Sequence, residues 1–564
     1  MIFISSSPVR KPFLAGVLTL ITLFFGLVAQ SAQGAEGDVS FDIVRFQIEG
    51  NTLLSPTRAA QLVAPFVGQK KVYGDVQKAL EALDGEYRRL GYGTVNVYVP
   101  EQELTSGVVR VQVSEGVVGK VVITGNKHFS NENIRASLPQ LREGAAPNMR
   151  QMSENIQLAN ENPAKQVEVT LGVSEEENKV NARVEVTEED PQRVYITLDN
   201  TGTRASGKHR VGVSYQNANV GNRDQVVTLN YITAVDPPGG VKVDIFSIGY
   251  RVPMYRLGDS IDVIYANSGT NTPATTPGAL GLAVNGKGEV FSIRYNHMRP
   301  RSGEFSSKIV VGLDYKFINA TCNIGGTPTA YGTASCTPYT IRPLSATYSG
   351  QWQKPGAVTD FTLGAVYHAF PMGSNYAFGP FNGVSGRDPY SAASGRQIKD
   401  RFAAFRFGGS YTRVLPAEWL ARAAISAQHS RNALLAGEQI GLAGSNAVRG
   451  FLERAVATDM GYFANLELYS PDYAVPLGIT GSLKGVAFYD WAEGHNHDMP
   501  TTDSARNAHI SSFGAGLRYN IKKDLTFKLD IARVMDGFRA AGASGPETAM
   551  GGDIRGHFSF AYGF

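Results

Sequence analysis

The chain has 564 residues, and 53 Lys and Arg against 50 Asp and Glu leave a net charge of only +3. So small an imbalance gives no case for nucleic-acid binding, and the length exceeds what one core needs, so more than one domain is expected. With 62 Gly, 25 Tyr, 28 Phe and 18% charged residues, the composition suits short strands, turns and aromatic girdles better than apolar spanning helices.

Arg10 and Lys11 precede an apolar run from Phe13 to Val28, and a small-residue stretch follows from Ala29 to Ala35. That order is a secretory signal peptide over residues 1–35. The alternative is an uncleaved anchor, for which the run is short. No later stretch of about 18 apolar residues occurs, so no spanning helix is expected. An exported chain that meets a membrane must then do so as a closed barrel.

Two units follow. Ile48, Gly50, Asn51 and Ser55 recur as Ile123, Gly125, Asn126 and Ser130, each 75 residues later. A repeat at fixed spacing is one supersecondary unit used twice. Each reads as strand, two helices and two strands, over 41–117 and 118–190. Ser55 caps a helix with Pro56 at its first position. A second helix starts near Asp75, puts Val76, Ala79, Leu80, Leu83, Tyr87 and Leu90 on one face, and ends at Gly91. Val109, Val111 and Val113 alternate on an inner strand face, as do Val180, Ala182, Val184 and Val186 in the second unit. Both units expose sheet edges, to which an extended peptide can add as a strand. The turns Gly50-Asn51 and Gly125-Asn126 are the candidate docking points. The competing reading makes the units spacers or aids to barrel assembly.

From Gln192 to Phe564 the sequence alternates without a convincing amphipathic helix. Sixteen strands can be placed, from 194–199 and 209–217, through 419–430, 461–469 and 480–490, to 509–519, 525–533 and 556–564. In the last, Phe558, Phe560, Tyr562 and Phe564 alternate with Ser559, Ala561 and Gly563, which points aromatics to lipid and small residues to the lumen. Phe560, Tyr562 and Phe564 form a candidate C-terminal signal for the barrel-assembly machinery. Links from even to odd strands are mostly short and those from odd to even mostly long, the pattern of periplasmic turns and outer loops. Cys322 and Cys336 fall in an outer loop, where one disulfide is expected and two free thiols are the alternative. His495 and His497 have a spacing that suits a metal but no third ligand, so no metal is assigned. No Walker loop, nucleophile elbow or zinc-protease motif occurs, so neither an enzyme nor a cofactor is expected.

Several motifs resemble one family. These are Gly91-Tyr92 with Val99-Pro100-Glu101-Gln102, Val113-Ser114-Glu115-Gly116, and Asn162-Pro163. They continue in Asp199-Asn200 with Gly202, in Asn217, Asn219 and Gly221 with Asp224, and in Val448-Arg449-Gly450-Phe451 between the eleventh and twelfth strands. The chain resembles the two-partner secretion transporters (TpsB, the haemolysin and filamentous-haemagglutinin exporter type) of the outer-membrane assembly-factor superfamily. The resemblance implies α+β periplasmic domains, two polypeptide-transport-associated (POTRA) units, followed by a 16-stranded antiparallel transmembrane β-barrel over 192–564. It also implies a lumen-inserted sixth outer loop, here 431–460. The implied function is export of an unfolded exoprotein whose N-terminal secretion domain docks on the POTRA units, by a monomeric barrel in outer-membrane lipid. A barrel-assembly insertase of the same superfamily and a passive porin are the alternatives.

The family pairs its loop arginine with a Phe-x-Asp-x-Gly motif on the thirteenth strand. Here Phe488 and Asp490 match, while Ala492 replaces the glycine. Arg449 is expected to pair bidentately with Asp490. In a wet lumen such a pair is worth about 0–1 kcal/mol, a weakness suited to a loop that shifts. Gly450 allows a tight turn and Phe451 an apolar anchor; two unrelated lumen charges are the alternative. Many members carry a plug helix ahead of the first POTRA unit. Cleavage near Ala35 leaves few residues before Phe41, so none is expected here.

Overall fold

Sixteen antiparallel strands close on themselves, from Gln192–Asp199 to Ile554–Gly563. The computed structural model describes residues 40–103, 106–202, 206–239, 241–268, 288–318, 323–324, 327–328, 339–369, 398, 401–499, 506–538 and 549–564. The candidate signal peptide, the plug question, and both Cys322 and Cys336 lie outside the described residues.

The ladder follows from the alternation. Tyr231 pairs with Phe246 and Tyr265 with Phe291, and Tyr231, Phe246 and Phe291 are exposed on the outside. The intervening Ser214, Asn230, Asp262, Ser292 and Asp314 are buried towards the lumen. There they bond across strands: Ser214 to Asn230 at 2.6 Å, Ser292 to Asp314 at 2.7 Å, and Arg251 to both oxygens of Asp262 at 2.7 and 2.9 Å. Polar inside and apolar outside is what a barrel in lipid requires.

The eighth strand is interrupted. Tyr339–Ile341 and Leu344–Lys354 both pair with Phe305–Ile318, and the break falls at Arg342-Pro343, where proline has no N–H to give the ladder. Two strands run further than the alternation suggests. The sixth extends to Ser302 and the thirteenth, Ser482–His495, to His495. His495 is therefore a strand residue.

In the first periplasmic unit, Arg45–Glu49 pairs in parallel with Val108–Glu115, which lies between it and Val95–Tyr98. Helix α1 spans Pro56–Val63 and α2 spans Tyr73–Leu90. The Ser55 hydroxyl accepts the Arg58 N–H at 3.3 Å, as a cap should. Helix α2 starts two residues before Asp75, because the Asp75 carboxylate accepts the Val72 N–H at 3.2 Å and closes the turn from inside. Val76, Ala79, Leu83 and Tyr87 are buried, as are Val109, Val111 and Val113 on the strand.

The second unit repeats the plan. Helices α3 (Asn131–Ser137) and α4 (Met149–Ala159) accompany the order Val117–Thr124, Lys179–Glu188, Lys165–Val173. Its core, with Val118, Ile134, Val167 and Val184, continues into Ala218 and Val226 of the second and third barrel strands. At that joint the Lys165 ammonium, fully buried, pairs with Asp224. Asp224 also accepts the Tyr255 hydroxyl at 2.6 Å, and Asn133 donates to the Asn222 carbonyl at 2.9 Å. Burial pulls the Lys165 ammonium below its ordinary pKa, and the Asp224 carboxylate opposes the shift.

Candidate functional site in the barrel lumen

The loop between the eleventh strand (Leu420–Ser430) and the twelfth (Met460–Tyr469) has structure of its own, contrary to its patternless sequence. Ile440–Gly441 pairs with Ala457–Thr458 as a short hairpin. Its tip folds back through Val448 N–H to Leu442 carbonyl at 3.1 Å and Gly444 N–H to Val448 carbonyl at 3.0 Å. At the base, Glu438 is 1% exposed and accepts from Lys316 at 2.7 Å and Arg406 at 3.2 Å, on the seventh and tenth strands.

The loop docks through an apolar face. Leu442, Val448, Phe451 and Val456 cluster with Ala492, Ile510 and Val534 from the thirteenth to fifteenth strands. Phe451 is 1% exposed within this cluster. Ala492 is fully buried in this cluster, and its strand keeps continuous register, Phe463 to Ala492 to Ile510. Alanine is thus accommodated where the motif has glycine. Gly450 has φ +96°, and a Cβ there would lie 3.0 Å from Val534 Cγ2 and 3.4 Å from Ala532 Cβ. The tip passes close to the wall in a conformation that favours glycine.

Arg449 sits at the centre. Its Nε and Nη2 donate to the two oxygens of Asp490, both at 2.7 Å, and its backbone N–H adds a third bond at 3.2 Å. Nη1 donates to Glu467 at 2.9 Å. The guanidinium lies 3.5 Å from the centre of the Phe488 ring, a cation–π contact. Asn465 donates to Asp490 and to the Ala447 carbonyl, each at 2.8 Å. Glu467 also holds Arg422 at 3.0 Å, and Asp530 holds Arg518 at 2.8 Å with Arg449 3.8 Å away. Three guanidiniums therefore face three carboxylates.

The pair is not solvated. Arg449 is 4% exposed and Asp490 is 0%. The expectation of a weak, solvated contact fails, because the docked hairpin buries both partners. Breaking a buried pair by removing one partner costs about 3–5 kcal/mol, since the other charge stays buried. A cavity of about 540 Å³ remains beside the loop, lined by Arg449 and Glu467 of the network and by Asp360, Arg422, Arg518 and Lys528.

The other candidates are placed as follows. Asn51 accepts the Leu54 N–H at 2.9 Å and the Tyr87 hydroxyl at 2.7 Å, and Asn126 donates to the Phe129 carbonyl at 2.9 Å. A Cβ on Gly50 or Gly125 would strike the carbonyl of Val113 at 2.3 Å or Val186 at 2.1 Å. Both turns thus carry an internal task that explains their repetition. Phe560 and Tyr562 lie on the outer face of the last strand, paired with Leu198 and Ile196, and the Tyr562 and Phe564 rings are 5.9 Å apart. His495 bonds Asn507 at 2.7 Å and His497 the Ser430 carbonyl at 2.8 Å. Among the described residues no three metal-ligating side chains converge. Glu467, Asn465 and His557, which bonds the loop tip, were not singled out from sequence. The alternation of the twelfth strand marks Glu467 as lumen-facing, but only the register sets it beside Asp490.

A closed sixteen-stranded barrel, polar within and aromatic without, behind an α+β unit, is an outer-membrane protein with its POTRA region in the periplasm. The model for the POTRA domain of ShlB type matches residues 41–116, and that for the haemolysin secretion/activation protein ShlB/FhaC/HecB matches 179–323 and 357–519. The chain belongs to that haemolysin secretion/activation family, as its motifs indicated. It is 23% identical over 518 residues to the outer membrane transporter CdiB of Escherichia coli O6:K15:H31, covering 86% of this chain and 80% of that one. It is 18% identical over 510 residues to the heme/hemopexin transporter protein HuxB of Haemophilus influenzae, covering 88% and 84%. The structure of CdiB from Escherichia coli superposes with a TM-score of 0.68 at 17% identity, covering 96% of this chain and 93% of that one. CdiB from Acinetobacter baumannii gives 0.65 at 14% identity, covering 93% and 90%.

Proposed function

We propose that this transporter secretes one partner exoprotein through its barrel, and that the Arg449 loop closes the lumen until the passing chain displaces it. The partner enters unfolded, its N-terminal secretion domain docking on the exposed edges of the periplasmic sheets. The observation that carries the reading is the hairpin seated in the lumen, with Arg449 held by Asp490 and Glu467 on adjacent wall strands. The relatives that bear transporter names support the direction of the reading. The test is secretion of a candidate exoprotein, sought first in the neighbouring reading frame, by the wild type and by Arg449→Ala. The variant should assemble a heat-modifiable barrel yet release much less partner outside. Wild-type release by the variant would sink the role given to the loop. Failure of the wild type to release any partner would sink the secretion reading itself.

A further inference from the structure

The tip of the loop is also held from another side. The Gly450 N–H donates to Nε2 of His557, on the last strand, at 2.9 Å. A nitrogen that accepts carries no proton, so this imidazole is neutral with its hydrogen on Nδ1. His557 is 7% exposed.

Its position in the barrel is particular. The register of the last strand with the first runs from Ser559 opposite Asp199 to Gly563 opposite Tyr195, five pairs, and backbone bonds add Phe564 with Val194 at 2.9 and 3.0 Å and Phe558 with Asn200 at 3.4 Å. The first strand makes eight with the second, and the fifteenth makes nine with the last. His557 lies just outward of that short ladder. There the closure is continued by a side chain: Asn200 donates to the Gly556 carbonyl and accepts the Phe558 N–H, both at 2.9 Å. The loop tip is thus fastened to the barrel at the outer end of its closing seam.

We propose that His557 is a proton-sensitive positioning residue, which ties the loop tip to the closing strand when neutral and releases it when protonated. The proposal rests on the reading of the loop as the element that closes the lumen. A protonated ring has no lone pair for the Gly450 N–H, and two N–H groups would then face each other. The new cation would stand near Arg449 on the loop and Arg555 on its own strand. The carboxylates around it have other tasks. Asp530, its cross-strand partner, holds Arg518 at 2.8 Å, and Glu453 accepts from Ser445 at 2.6 Å. A cavity of about 400 Å³, lined by His557, Gly450, Glu453 and Arg555, lets protons reach the ring. Lys208, Asp553 and a second imidazole, His209, which meets Asp236 at 3.1 Å, line the same cavity from the neighbouring segments.

The test is the open time of the full-length protein in planar bilayers between pH 7.5 and pH 4.5. Losing one net hydrogen bond shifts such an equilibrium about fivefold, so wild-type open time should rise by about that factor or more on acidification. His557→Gln keeps a carbonyl acceptor that does not titrate, and its open time should stay flat. His557→Leu should be open at both pH values. A wild-type profile with no pH dependence overturns the proposal without any variant. So does a His557→Gln profile that matches the wild type, or a His557→Leu channel as closed as the wild type at pH 7.5. Arg449→Ala separates the two readings. If it opens the pore while the His557 variants change nothing, only the proton-sensitive anchor fails. If it leaves the pore closed, the closing role of the loop fails and this proposal with it.

Discussion

Glu467 and Phe488 are cross-strand partners on the lumen side of the twelfth and thirteenth strands, and Arg449 rests against both. The next pair along, Asn465 with Asp490, receives the same guanidinium on Asp490 and the Ala447 carbonyl on Asn465. Four wall positions in two adjacent pairs therefore form one seat for a single arginine. Regular strand geometry supplies it, with lumen-facing pairs stacked at every second residue.

The seat predicts a graded response at Arg449. A lysine keeps the charge but cannot reproduce the fork that meets both oxygens of Asp490 and reaches Glu467. Arg449→Lys should therefore lie between wild type and Arg449→Ala, whose loss leaves buried carboxylates and costs about 3–5 kcal/mol of loop docking. Protease cleavage within 431–460 in the assembled barrel reports the order directly. Equal cleavage of Arg449→Lys and wild type would mean the fork contributes nothing.

Phe488 contributes without bonding. Replacing it by leucine retains apolar volume and removes the ring face over which Arg449 lies. The cation–π share is about 0.5–2 kcal/mol, so Phe488→Leu should loosen the loop far less than Arg449→Ala. A double-mutant cycle on the two positions should show coupling of that size. Strict additivity would deny the contact any energetic part.

Gly450 tests how tightly the tip fits. Alanine at φ +96° is strained, at a cost of about 1–3 kcal/mol. Its Cβ would also press on Val534 Cγ2 at 3.0 Å. Gly450→Ala should raise channel conductance, and a second change, Val534→Ala, should recover part of the closed state by relieving the steric share alone. Full recovery would mean the backbone conformation is not strained for alanine.

The barrel was legible because lipid on one side and water on the other impose strict alternation, and because turn length distinguishes its two ends. The repeated Gly-Asn and Ser caps exposed the periplasmic units for a similar local reason. The strength of the Arg449 site was not legible. Ala492, Ile510 and Val534 are apolar yet face the lumen, against the rule that assigned strand faces, because a docked hairpin covers them. His557 was hidden differently. Its role depends on its place at the outer end of the closing seam, which no local pattern records.

The buried joint between the second periplasmic unit and the barrel offers a prediction independent of the loop. Lys165 has a fully buried side chain against Asp224, which also holds Tyr255. Lys165→Met leaves that carboxylate buried without its hydrogen-bond donor and should cost about 1–3 kcal/mol at the joint. Adding Asp224→Asn removes the orphaned charge and should recover much of it. The pH dependence has a definite sign. Burial sets the folded pKa of Lys165 below its unfolded value, so between the two the folded state holds fewer protons. Stability of the joint should therefore rise with pH through that window in the wild type, and lose this slope in Lys165→Met. Proteolysis of the 188–192 connection against pH reads both effects. A double variant as labile as Lys165→Met would show that the lysine acts by packing rather than by charge.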